Sequence, residues 1–128
     1  MTRFRLFVAM LLALTAAVAY AHHSRPAHFD LDATVTTEGV VGAFLWRNPH
    51  IFIYLEVQNE AGEWEAWELE MQNTSAMSNR GWDQDTIKVD DHIRVIGNPH
   101  RTSPRYMFVT GIERPADGFA YGDEYAYR

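Results

Sequence analysis

Six histidines and no cysteine define the side-chain chemistry open to this 128-residue chain. Without thiols there are no disulfides, no thiolate metal sites and no cysteine nucleophile. Imidazole nitrogens suit copper(II), nickel(II) and zinc(II). His50 and His100 each end the tripeptide Asn-Pro-His, which occurs at 48–50 and again at 98–100. His22 and His23 form an adjacent pair. His22, His23, His50 and His100 are therefore the candidate metal ligands. A structural reading competes with this one, because an imidazole beside a proline turn commonly hydrogen-bonds the turn's own backbone. His92 is expected to face water beside Asp90 and Asp91, and His28 has no partner visible in sequence.

A second set of residues suits another ligand. Phe52 and Tyr54 project from one strand face, and Glu68 and Glu70 are expected opposite them. Exposed aromatics on such a face stack sugars or bases. The acid pair disfavours a phosphate backbone and leaves a sugar, a cationic ligand or a protein strand. The alternative is that an N-terminal arm or a C-terminal tail covers the face. Catalysis finds little support: there is no Gly-x-Ser-x-Gly, no Gly-rich phosphate loop and no His-Glu-x-x-His. Glu68 and Glu70 would need a deep cleft to act as a glycosidase pair, and a chain this short has little material to build one. No enzyme is expected.

The elements that must position these residues follow from periodicity. Residues 34–46 are rich in β-branched and aromatic types, with Gly39 and Gly42 marking a bulge or a bend. Arg47-Asn48-Pro49 reads as a turn. Beyond it, Ile51, Ile53, Leu55 and Val57 alternate with His50, Phe52, Tyr54 and Glu56. Asn59-Glu60-Ala61-Gly62 is a hairpin loop. On the return strand, residues 63–71, Trp67, Leu69 and Met71 point inward. A short helix starts at Asn73 or Thr74 and stops before Gly81. A fourth strand covers about 91–97, a second turn 98–104 and a fifth strand about 105–113. Three strands, a helix and two strands predict an all-β fold, a small five-stranded OB-like Greek-key barrel. In it the two Asn-Pro-His segments become loops flanking one mouth. Residues 22–33 are expected to be an N-terminal arm, 34–114 the barrel and 115–128 a polar, aromatic tail, either an edge strand or partly disordered.

The chain's start predicts its address. Arg3 and Arg5 precede an uncharged, mostly apolar run of 14 residues, Leu6 to Ala19. That is shorter than the ~20 residues a membrane span needs. Ala17-Val18-Ala19 and Ala19-Tyr20-Ala21 then offer small residues to a signal peptidase. Residues 1–21 are expected to be a cleaved signal peptide and the protein periplasmic or secreted, with no stable membrane insertion after cleavage. Losing two arginines takes the net charge from −6 to −8, a balance that disfavours nucleic acid. Cleavage after Ala21 would make the His22 amine and imidazole a chelating pair. Cleavage after Ala19 would make His22 the third residue, where amine, two amides and imidazole form a square-planar copper or nickel site.

Several of these segments resemble one family. The histidine pair after the leader, Gly-x-Val-x-x-Phe-x-Trp-x-Asn-Pro-His from Gly39 to His50, Trp-x-x-Glu from Trp67 to Glu70, and Gly81-Trp82 are similar to an uncharacterised family of small secreted proteins from Gram-negative bacteria. The resemblance spans about His22 to Gly118. It implies export and a barrel, with no established activity. The chain departs from the pattern at Val89-Asp90-Asp91, where a Lys-x-Gly-Asp turn is expected. It departs again at His100, so the resemblance gives His100 no support as a family-wide site. The resulting expectation is an exported, non-enzymatic binding module for a divalent transition metal, copper or zinc, through a histidine-rich rim. The competing expectation is a protein- or glycan-interaction module on the face carrying Phe52 and Tyr54, with structural histidines and an unknown periplasmic partner.

Overall fold

The computed structural model describes residues 24–122; residues 1–23, with His22 and His23, and residues 123–128 lie outside the described residues. The elements are α1 (Ser24–His28), β1 (Val35–Leu45), β2 (Phe52–Gln58), β3 (Trp64–Glu70), α2 (Thr74–Ser78), β4 (His92–Pro99), β5 (Tyr106–Arg114) and β6 (Phe119–Tyr121). The strands are ordered β3-β2-β1-β4-β5-β6, and β3 also pairs with β5 in parallel. That last pairing joins the first five strands into a closed barrel with α2 between β3 and β4. This is the OB topology expected from the element order. No helix among the described residues is long and apolar enough to cross a membrane.

β1 closes the barrel by serving two partners. Its first half, Val35 to Val40, pairs with β4, and Val40 to Leu45 pairs with β2. The register slips between Val41 and Ala43, which places a bulge at Gly42. At Gly39 the neighbouring strand comes so close that an added Cβ would lie 2.2 Å from the Glu56 carbonyl oxygen. Only glycine fits that corner.

Alternation along β2 sends Ile51, Ile53 and Leu55 into the core, where they meet Leu69, Met71, Ile93, Val95, Met107 and Ile112. Val57 and Trp67, expected in the core with Leu69, are only partly buried. The reason is where the seam starts: β5 joins β3 only from Glu68 onward, so the hairpin outside it lacks a second neighbour. Asn73 caps α2, its side-chain oxygen accepting from the Ala76 amide at 2.8 Å. After the turn at Gly81 (φ +84°), Trp82 is buried and meets Phe119 and Tyr121 edge to face.

One expectation changes. The second Asn-Pro-His is no turn: Asn98 and Pro99 remain in β4, paired with Phe108 and Met107, and the chain turns only after His100. Pro99 is tolerated because its missing N–H falls at the last position of the strand. Of the two alternatives for the region after Pro115, its described part takes the edge strand: β6 pairs with β5 and is anchored through Trp82.

Candidate functional site

The two Asn-Pro-His segments do different structural work and still deliver both histidines to one place. Asn48 accepts from the Thr74 amide (3.2 Å) and hydroxyl (2.8 Å), tying the β1–β2 link to the start of α2. Asn98 is buried; it donates to the Ala33 carbonyl (2.9 Å) and accepts from Arg25 (3.2 Å). It thus holds the segment from α1 to β1 against the barrel. That segment is pinned further by Phe29, which is buried, and by Arg25 stacked 3.9 Å over the Phe108 ring. Between this arm, the β1–β2 link and the β3–β5 seam lies a cleft of about 660 Å³, and both His50 and His100 line it.

His50 is the side chain presented for chemistry. Its Nδ1 lies 2.6 Å from Glu70 Oε1; the imidazole is 44% exposed and the carboxylate 9%. The contact follows from strand register. Phe52 is paired with Glu70 and Ile51 bonds the backbone of Met71 and Gln72, so His50 and Glu70 are diagonal neighbours on one face. The Tyr106 hydroxyl donates to the other Glu70 oxygen. Burial, reinforced by Glu70, pushes the Tyr106 phenol well above its ordinary pKa. With Nδ1–H spent on Glu70, the lone pair of neutral His50 resides on Nε2. A carboxylate that fixes tautomer and ring orientation is the arrangement that supports metal-binding histidines.

His100 is committed elsewhere. Its ring stacks on Tyr106 (4.8 Å, 10°) and against His28 (6.0 Å, 25°), with Phe29 edge-on at 5.3 Å. Its Nδ1 accepts the amides of Thr102 (3.2 Å) and Ser103 (3.0 Å). Two amide donors on Nδ1 place the hydrogen of the neutral ring on Nε2. Coordination through Nε2 would require an imidazolate or the loss of both turn contacts. The geometry makes His100 a wall of the cleft and the organiser of the 101–104 turn.

The other candidates divide. Glu70 shares the face of its partner Phe52 but is buried there as the acceptor for His50 and Tyr106. Phe52, Tyr54 and Glu68 stand outside this cleft. Tyr54 and Glu68 contact each other at 3.5 Å, and Arg47 lies 5.9 Å over Phe52. His92 is exposed, 3.6 Å from Glu38. Among the described residues no three His, Cys, Asp or Glu side chains are grouped to hold a metal. Sequence reading missed Arg25, Phe29, Tyr106 and Phe108. Tyr106 and Phe108 reach the site only because β5 runs parallel to β3, a pairing with no local signature.

No curated protein matches the chain. A mitochondrial single-stranded DNA binding protein from S. cerevisiae, Rim1, is similar in structure, with a TM-score of 0.48 and 10% identity over 63% of this chain and 91% of that chain. The profile of a family of unknown function, DUF6152, matches residues 9–107, and the chain belongs to that family.

Proposed function

We propose that the protein is an exported, non-enzymatic binding module whose site is the cleft at His50, and that its ligand is a divalent transition metal, copper or zinc. The observation that carries this reading is the 2.6 Å contact of His50 Nδ1 with Glu70, which leaves Nε2 as an oriented lone-pair donor at a cleft wall. In this reading His50 is the anchor and the nitrogens of His22 and His23 complete the set, while His100 supplies shape. Met71 and Met107 are core residues, at 1% and 0% exposure, and offer no thioether ligand. The test is titration of the secreted, tag-free protein with copper(II) and zinc(II). His50→Ala should weaken binding by at least about tenfold, and Glu70→Gln by about 10–100-fold, the usual cost of losing an outer-sphere partner.

A second reading rests on a separate observation. Trp64, on the outward face of β3 with Glu68, is 64% exposed. An exposed tryptophan on the same sheet face as Tyr54 and Glu68 suits a glycan or a partner strand. Neutral oligosaccharides that quench its fluorescence in wild type and not in Trp64→Ala would favour that face.

A further inference from the structure

β3 has a strand on both sides along only half its length. Residues facing each other across β2 and β3 alternate between pairs that bond one another and pairs whose backbone groups point away. Asn59 bonds Glu63 and Met71 bonds Ile51, so the odd-numbered residues of β3 turn their backbone to β2. Trp64, Ala66, Glu68 and Glu70 turn theirs to the opposite side. There β5 pairs with Glu68, Leu69 and Glu70, and the Glu68 amide donates to the Arg105 carbonyl at 2.9 Å. Trp64 and Ala66, both exposed, have no strand partner on that side among the described residues. Sheets ordinarily cover or blunt such an edge. Trp67 and Arg105, which flank the gap, also line a cleft of about 420 Å³ with Val35, Pro99, Pro104 and Tyr106. Trp67 is only partly buried, and its indole N–H is buried without an acceptor. Packing and hydrogen bonding are both incomplete at this place.

We propose that the gap beside Trp64 and Ala66 receives an extended, basic segment of a partner protein as an added β-strand. Strand addition draws affinity from main-chain hydrogen bonds and selectivity from alternate side chains. Residues opposite Trp64 and Ala66 share their outer face, and the residues between them point inward, over Trp67 and its cleft. An apolar side chain there completes the packing that Trp67 lacks. Charge selects the outward residues. Residues 63–70 include four glutamates. Arg105 lies 3.7 Å from Glu65 and His50 2.6 Å from Glu70, whereas Glu63 and Glu68 have no cationic side chain within 4 Å among the described residues. Glu68 shares the outer face with Trp64 and Ala66, so a Lys or Arg on the incoming strand meets a carboxylate and an exposed indole. A second copy of this chain would set acidic strand against acidic strand and is disfavoured. This strand site deepens the second reading above, on which it rests for Trp64, and is independent of metal binding.

The experiment is a ¹H–¹⁵N titration of the secreted protein with the peptide acetyl-Lys-Val-Lys-Val-Lys-amide. Binding should shift the Trp64 and Ala66 amides saturably. In the proposed pairing the peptide's Lys residues lie opposite Trp64 and Ala66 and turn their own amides to β3. N-methylation of the Lys backbone nitrogens should therefore weaken binding by at least about tenfold, while N-methylation of the Val nitrogens should leave it within about twofold. Replacing every Lys by Glu should also cost at least about tenfold. In the protein, Ala66→Pro removes a donor that β2 does not use. It should keep wild-type stability in urea and lose at least about tenfold in peptide affinity. Equal effects of the two methylation patterns, equal binding of the Glu peptide, or a folded Ala66→Pro variant that binds as wild type would overturn the proposal. Neutral oligosaccharides that shift Trp64 while the peptide leaves Ala66 unmoved would overturn it too and leave the glycan reading of the outer face standing.

Discussion

A carboxylate taken out of water must recover its hydrogen bonds, and Glu70 recovers them from two side chains that sequence places far apart. His50 donates to one oxygen and Tyr106 to the other. Charge-assisted bonds of this kind contribute about 1.5–3 kcal/mol each. Glu70→Gln keeps the shape but loses the charge and presents an NH₂ to one donor. It should lower unfolding free energy by about 1–3 kcal/mol, measured by urea denaturation. Tyr106 gives the arrangement a pH signature. Its folded pKa is raised by burial and then by Glu70. The neutral phenol is therefore favoured in the native state, so this contribution is complete below the unfolded value of about 10 and is lost as pH rises toward the folded value. Unfolding free energy should fall in that alkaline window, and Tyr106→Phe should flatten the fall. A wild-type curve no steeper than that of Tyr106→Phe would contradict the assignment.

Strand geometry explains why some of this was readable and some was not. The alternation of Ile51, Ile53 and Leu55 against His50 and Phe52 reports a half-buried strand directly, and Asn73 and Gly81 mark both ends of α2. Gly39 and Gly42 announce the bend in β1. Replacing Gly39 by Ala would press a methyl into the Glu56 carbonyl and should cost about 2–3 kcal/mol by thermal or urea unfolding, as overpacking does. Asp90 adopts φ +71° in the turn before β4, a backbone conformation that favours glycine. Asp90→Gly should therefore stabilise the protein by up to about 1 kcal/mol. The site was less legible. His50 and the Trp-x-x-Glu carboxylate were both visible as motif residues, yet their contact depends on a diagonal across the β2–β3 register. Asn98-Pro99-His100 reads as a turn in sequence because proline usually ends a strand, whereas β4 carries Asn98 and Pro99 to its very end. The roles of Phe29, Tyr106 and Phe108 emerge only when the arm docks and the β3–β5 seam closes.

At the scale of the whole molecule, a barrel with a largely aliphatic and methionine core, joined by Trp82, supports a rim on which an N-terminal arm meets two loops and a seam. The proposed address links that rim to the histidine pair. Mass spectrometry of the secreted protein should find a first residue of His22 or Tyr20, and an intact leader would refute export by cleavage. Either start leaves an amine and the imidazoles of His22 and His23 within a few residues of α1, which already contacts the cleft through Arg25 and His28. On the proposed reading the fold, and not the terminus alone, builds the metal site. That reading is tested most directly by competitive copper(II) titration of the secreted protein against its His50→Ala and His100→Ala variants. His50→Ala should weaken copper binding by at least about tenfold, while His100→Ala, once its fold is verified, should retain wild-type affinity. Unchanged affinity in His50→Ala would show that the amino terminus binds metal unaided and that the cleft has no part in it.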